Sequence, residues 1–351
     1  MRVCGRDSRE VSLPGSSSPH ADANVTGIIA QTIASKLGRS TISAAISLAV
    51  LAAAGLTLYQ LLHDADFGKV AALLKSQPID QIAIAGAFVI AGYVTLTFYD
   101  LFALHTIGRR KVPYSVAALA SFTSFTIGHS LGAAVVTGGL IRLRIYSVWG
   151  LTVVDIAKIA FITGMTFWLG NALLLGGATM YAPEAATVVD HLPPSINRAI
   201  GLSGLVAIGC YLVWLAPRAR AVGRAGWRIV LPNLRLTLVQ IGIGALDLAL
   251  VTMAMYTLLP SEPIVPFSTI LVIFLTATLL GTVSHAPGGL GVIEATMLIG
   301  LPQFQREELL AALLTFRAVY FVLPVLLATL TLGLRELWML ARPASTGRGD
   351  A

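Results

Sequence analysis

Eight apolar stretches, at roughly 42–62, 82–104, 114–137, 156–180, 196–216, 236–259, 264–301 and 310–333, take up most of the chain. About 20 apolar residues cross a bilayer core. A backbone in lipid must satisfy its own hydrogen bonds, which a helix does within one segment. The pattern therefore predicts an all-α polytopic membrane protein. Composition agrees: of 351 residues, 56% are hydrophobic and 12% charged, half the charged share of about 25% found in soluble domains. A disulfide scaffold, a coiled coil and a disordered chain are excluded. The two cysteines, Cys4 and Cys210, are too few for a framework.

The flanks are polar. Residues 1–41 read as a cytoplasmic tail, disordered over 1–24, with no apolar run of the kind a signal peptide needs. Val25, Ile28, Ile29, Ile33 and Leu37 recur at helical spacing. They fit an interfacial helix or a lead-in to the first span. Residues 336–351 read as a second cytoplasmic tail, which leaves 42–335 as the membrane domain.

The charges decide how the chain crosses. The net charge is +7, from 24 Lys and Arg against 17 Asp and Glu. Eight plain crossings would divide the basic residues almost evenly between the two sides. If 114–137 and 264–301 instead dip in and return, 18 of the 24 basic residues face the cytoplasm, as the positive-inside rule requires. Both termini are then inside, with six full spans and two re-entrant hairpins. The dipping segments suit this: 121–139 is rich in small and polar residues, and 281–291 reads GTVSHAPGGLG. Broken backbone at membrane depth needs protein or a wet cavity around it. An ordinary span with a small-residue packing face is the other reading of 114–137.

A repeat at an offset of 150 residues supports the same layout. Gly138-Gly139-Leu140 recurs as Gly288-Gly289-Leu290, and Gly150-Leu151 as Gly300-Leu301. The halves, about 42–180 and 196–333, then lie in opposite orientations. Inverted repeats with broken helices meeting near the midplane are a transporter architecture.

Charged groups at depth cost about 2.5–3.5 kcal/mol each on insertion scales, so each one is a candidate. Arg142, Arg144 and Tyr146 follow Gly138-Gly139 at the mouth of the first hairpin. Guanidinium groups bind phosphate bidentately, which points to a lipid headgroup site. Equally, the two arginines read as cytoplasmic anchors. Glu294, Arg317, Asp247 and Asp100, with His129, His285, Pro287, Gly288 and Gly289 at the hairpins, outline a polar transport path. Glu294 paired with Arg317 as structural glue, Asp100 reaching the headgroups and histidines merely hydrogen-bonded within the hairpins are the blander alternatives. No nucleotide loop, CxxC pair, HExxH or GxSxG occurs. Hence no enzymatic activity, cofactor, metal site or nucleic-acid partner is expected.

The stretches IGHSLGAAVVTGGLIRLRIYSVWGL (127–151), ITGMTFWLG (162–170), SHAPGGLGVIE (284–294) and TFRAVYFVLP (315–324) resemble one family. It is the transmembrane flippase region of lysylphosphatidylglycerol synthetase/flippase proteins, with the related stand-alone inner-membrane proteins. The resemblance runs from about 40 to 335. It implies a polytopic domain that moves an aminoacylated phospholipid between leaflets. Its Gly-Gly/Arg/Arg and Pro-Gly-Gly/Glu elements fall on Gly138, Gly139, Arg142, Arg144 and on Pro287, Gly288, Gly289, Glu294. The family's soluble aminoacyltransferase is not expected, since the chain ends about 18 residues beyond its last span.

Together these readings predict an inner-membrane transporter or flippase for an anionic or aminoacylated phospholipid. A non-transporting accessory subunit of a lipid-modifying or glycosyltransferase enzyme is the second reading. Oligomeric state is not legible.

Overall fold

Prolines and short capping side chains cut the chain into helices. The computed structural model describes residues 66–131, 134–216, 220–224 and 227–341. The predicted first span, 42–62, and the tail before it lie outside these. Asp66 caps α1 (Phe67–Ser76), accepting from the Gly68 and Lys69 amides at 2.8 and 3.1 Å. Pro78 then opens α2 (Ile79–Thr106). After Pro113 come α3 (Tyr114–Leu131) and α4 (Ala134–Tyr146). Thr152 and Asp155 form a reciprocal capping box at the start of α5 (Val153–Tyr181).

The rest follows the same logic. Pro183 opens the short α6 (Pro183–Asp190), and Pro194 opens α7 (Pro194–Leu215). A two-stranded antiparallel hairpin, β1 (Ala221–Arg224) with β2 (Trp227–Val230), precedes α8 (Leu234–Leu258), which Asn233 caps. Then α9 (Phe267–Val283), a 3-10 turn at Pro287–Gly289 and α10 (Val292–Gly300) form a broken segment. The chain closes with α11 (Arg306–Arg317), a π-helical turn at Ala318–Val322 and α12 (Leu323–Ala341).

Among the described residues, five helices are long and apolar enough to cross a membrane: Ile79–Thr106, Val153–Tyr181, Pro194–Leu215, Leu234–Leu258 and Arg306–Arg335. They coincide with five of the six full spans expected from sequence. The segment 264–301 is interrupted between α9 and α10, and in the other segment expected to dip α4 packs back on α3, Gly138 against the Ser124 carbonyl. The architecture is thus α-helical and membrane-spanning. Four details differ from the sequence reading: first, the stretch 138–155, expected as a cytoplasmic loop, carries most of α4. The stretch 181–195, expected as loop, contains α6; the stretch 217–233 contains the β-hairpin; and the last helix continues to Ala341, past the expected start of the tail at 336. Each is too short to show a hydrophobic period of its own, so local capping and neighbouring helices decide it.

Lipid replaces water as the driving environment, so close packing between helices matters more than apolarity. Isoleucines and valines of α7, such as Ile196, Ile200, Val206 and Val213, are exposed, as lipid-facing side chains would be. Inside, α5 and α8 cross almost backbone to backbone. A Cβ on Gly170 would overlap the Gly244 backbone, and one on Gly244 would overlap the Thr166 carbonyl. Next to this crossing, Gln240 Nε2 donates to the Ile162 carbonyl at 3.2 Å and to Thr166 Oγ1 at 3.0 Å. The larger buried cluster joins α8, α9, α10 and α11; a smaller one joins the end of α2 with α3, α4 and the start of α5. The candidate site lies where the broken segments meet these spans.

Candidate functional site

The motif GGLIRLRIY (138–146) falls on α4, and its helical phase explains its residue types. Positions 138, 142 and 146 share one face. Gly138 brings α4 against α3: a Cβ there would stand 3.0 Å from the Ser124 carbonyl oxygen. Arg142 and Tyr146 turn inward to Asp100 of α2, which is fully buried. Arg142 Nε donates to Asp100 Oδ2 at 3.0 Å and Nη2 to Oδ1 at 2.8 Å. Tyr146 Oη donates to Oδ2 at 2.8 Å. Arg144 points the other way and is exposed, and Gly139 has open space beside it. The predicted headgroup cluster is therefore divided. Asp100 accepts from two donors at once, Arg142 through Nε and Nη2 and Tyr146 through Oη.

The second broken segment is pinned the same way, with the signs exchanged. Gly288, Gly289 and Gly291 take positive φ of 58°, 63° and 78°, which glycine adopts without a Cβ penalty. This reverses the chain between α9 and α10. The Glu294 carboxylate accepts from the Gly291 amide at 2.8 Å and from Arg317 Nε. Arg317 Nη1 also donates to the Gly288 carbonyl at 3.0 Å, and its guanidinium lies over the Phe321 ring at 5.3 Å. Glu294 and Arg317, expected as a pair or as path-lining charges, are thus joined, and together they hold the glycine break.

The π-helical turn has a chemical consequence of its own. Pro324 has no N–H and so leaves the carbonyl four residues earlier, that of Tyr320, without its usual helical donor. Tyr93 of α2 fills the gap, its hydroxyl donating to the Tyr320 carbonyl at 3.0 Å. The same turn stacks Tyr320 on Phe316, centroids 5.1 Å apart, and sets Phe321 edge-on to Tyr320 at 5.0 Å. Tyr93 and Phe274 extend this aromatic wall at 5.6 and 5.5 Å.

That wall faces a cavity of about 210 Å³ between the two broken segments. Phe125, Thr126 and His129 of α3 line one side, and Thr278, Thr282, His285, Gly288 and Gly289 the other. Asp247 of α8 lines it from a buried position, only 5% exposed. Its Oδ2 accepts from Tyr99 Oη at 3.0 Å. Gly92 leaves room alongside: a Cβ there would come within 3.9 Å of Asp247 Oδ1. His129 stacks on Phe125 at 4.1 Å and donates from Nδ1 to that residue's carbonyl at 3.2 Å.

Of the predicted path residues, Asp247, His129, His285, Gly288 and Gly289 line one cavity. Glu294 and Arg317 stand behind the glycine break. Pro287 opens the 3-10 turn and is exposed, and Asp100 belongs to the Arg142 cluster. Sequence reasoning missed Tyr93, Tyr99, Phe274, Phe316, Tyr320 and Phe321. Pro324 just beyond AVYFV was the available signal, because it marks where a helix must deform. Among the described residues no group of three or more His, Cys, Asp or Glu could hold a metal ion.

No family model matches the chain. It is 33% identical over 269 residues to the uncharacterized protein slr0712 of Synechocystis sp., covering 76% of this chain and 83% of that one. It is 28% identical over 257 residues to the inner membrane protein YbhN of Escherichia coli, covering 71% and 79%. A stretch of 66 residues, 18% of this chain and 8% of the relative, is 39% identical to phosphatidylglycerol lysyltransferase of Staphylococcus haemolyticus.

Proposed function

The chain belongs to the family of YbhN-like inner membrane proteins, and we propose that it is a multi-pass lipid transporter that moves a phospholipid between the leaflets of the inner membrane. In this reading six spans surround two re-entrant hairpins, α3–α4 and α9–α10, arranged as an inverted repeat offset by 150 residues. Both termini face the cytoplasm. The protein catalyses no covalent step and needs no cofactor.

One observation carries the proposal. The helix pairs α3–α4 and α9–α10 both line one cavity, and that cavity holds the buried Asp247 carboxylate among aromatic rings. Broken helices, a polar group at their junction and small residues at their turns are what a path for a polar headgroup requires. The 66-residue likeness to a phosphatidylglycerol lysyltransferase fits a lipid cargo. Arg142 and Glu294 serve here to pin the hairpins to neighbouring spans, while the cavity takes the headgroup.

Reconstitution tests this. Purified protein is placed in liposomes containing fluorescent phospholipids, and dithionite quenches the outer leaflet. Loss of the protected half, beyond that of empty liposomes, is expected. It should disappear when Phe321→Trp or Gly288→Leu fills the cavity. Unchanged protection for every lipid tested, with protein that elutes as a single folded species, refutes transport by the protein alone. A second reading, as a membrane anchor or accessory subunit for a lipid-modifying enzyme, draws on the internal pairing of Asp100 and Glu294 with arginines. Under it, the cavity-filling variants leave function intact.

A further inference from the structure

Four acidic side chains are buried among the described residues, and their partners set one of them apart. Asp100 is paired with Arg142, Asp155 with Arg109 and Glu294 with Arg317. Asp247 is in none of the described ion pairs; its described donor is the neutral Tyr99 hydroxyl. It is also the only one of the four that lines the cavity. A buried carboxylate without a cation is costly, so the site gains when something cationic enters.

The cavity walls limit what that cation can be. No Lys or Arg is among the described residues that line it, so a phosphate would meet no described Lys or Arg there. Arg317 stands behind Gly288 and Phe321, already matched by Glu294. A bare metal cation needs a shell of oxygens, commonly six or more, yet the lining is mainly apolar and aromatic. Aromatic faces attract organic ammonium groups, by about 0.5–1 kcal/mol when exposed and about 2 or more when desolvated. Phe125, Phe167, Phe274, Phe316, Tyr320 and Phe321 supply such faces around the single carboxylate. At about 210 Å³ the space far exceeds the roughly 10–15 Å³ that one water needs by the same measure. A small organic head fits it better than a lone ion.

We propose that Asp247 and the aromatic wall bind the ammonium group of a phospholipid head, so that the lipid is selected by its positive end. The proposal rests on the transport reading and names the part of the cargo that the cavity recognises. It makes Asp247 a specificity residue, with Tyr99 orienting its carboxylate and Tyr93 holding Tyr320 in the wall. The headgroup phosphate would stay toward the cavity mouth, where the exposed Thr282 and His285 lie.

The test measures binding separately from transport. Full-length protein in detergent is titrated with dihexanoyl-phosphatidylethanolamine and, in parallel, with dihexanoyl-phosphatidylglycerol, and tryptophan fluorescence is followed. Trp168 beside Phe167, at 5.7 Å, is the reporter. The ethanolamine lipid should bind at least tenfold tighter. Asp247→Asn, which keeps the shape and removes the charge, should abolish that preference without weakening phosphatidylglycerol. Equal affinities in the wild-type protein overturn the proposal, and so does a preference that survives Asp247→Asn. Should Asp247→Asn fail to fold, Phe321→Leu replaces it, with a smaller loss expected for the ethanolamine lipid alone. In liposomes, flipping of both lipids at equal rates sinks the ammonium site and leaves the transporter standing. Ammonium-selective binding with no flipping does the reverse.

Discussion

Arg142→Ala should destabilise the protein severely, and the structure sets the size. Asp100 has no exposure, and the substitution removes two short guanidinium bonds from it. What remains is a buried carboxylate whose one described side-chain donor is Tyr146. Removing one partner of a buried pair costs about 3–5 kcal/mol, roughly two to nearly four decades in the folding equilibrium at 1.4 kcal/mol per decade. Replacing the whole cluster should behave differently. With Asp100→Leu, Arg142→Met and Tyr146→Phe together, neither charge nor hydroxyl is stranded, and well-packed apolar replacements are often neutral or stabilising. The Tyr146 change is needed because an orphaned buried hydroxyl alone costs about 1–3 kcal/mol. Unfolding in mixed micelles, followed by tryptophan fluorescence, measures both proteins. A single variant as stable as wild type refutes the reasoning. So does a triple variant no better than the single one. The triple variant also has a functional use: if it still transports lipid, Arg142 is a pin and not a headgroup ligand.

Three further outcomes are expected. Gly244→Ala should cost more than the usual 1–3 kcal/mol of an overpacked core, because its Cβ overlaps the Thr166 carbonyl, whereas Gly242→Ala, with nothing within 4 Å, should stay within about 0.5 kcal/mol of wild type; comparing the two in the micelle assay checks the crossing. Arg317→Lys keeps the charge, but one ammonium cannot match the guanidinium's fork toward both Glu294 and the Gly288 carbonyl, so amides at 284–291 should exchange faster by mass spectrometry. Tyr93→Phe should cost about 0.5–1.5 kcal/mol in the wild-type protein and close to nothing beside Pro324→Ala, since that substitution restores a backbone N–H for the Tyr320 carbonyl; a double-mutant cycle without coupling would contradict this.

Much of the fold was legible because a bilayer enforces simple rules. Five of the spans follow from apolar length alone, and the interruption between α9 and α10 from Pro287-Gly288-Gly289. The chemistry-bearing residues were legible as types, since a charge in an apolar helix stands out. Their partners were not. Asp100 and Arg142 are 42 residues apart, and no local pattern ties them; only the reach of the Arg142 and Tyr146 side chains from α4 to α2 does. The motif read as a phosphate clamp because arginine chemistry is the same whether its anion is a lipid or a buried aspartate. Helical phase was the overlooked clue: 142 and 146 share a face with Gly138, and 144 does not. The aromatic wall was hidden for another reason. Phenylalanine and tyrosine in a membrane helix are unremarked by composition, and only the deformation before Pro324 gathers them.

The exchanged signs of the two ion pairs have an electrical consequence. The first hairpin carries Arg142 against an acid on its span; the second carries Glu294 against Arg317 on its span. Each hairpin and its span therefore form a unit with no net charge at the pin. A potential of 100 mV does about 2.3 kcal/mol of work on a unit charge carried fully across a membrane, and on a neutral pair moving together it does none. Resting or collapsed, the membrane voltage would leave either pinned unit where packing puts it. Asp247, in none of the described ion pairs, retains a handle for the field, and an ammonium group beside it would remove that handle too, making the pair electrically silent.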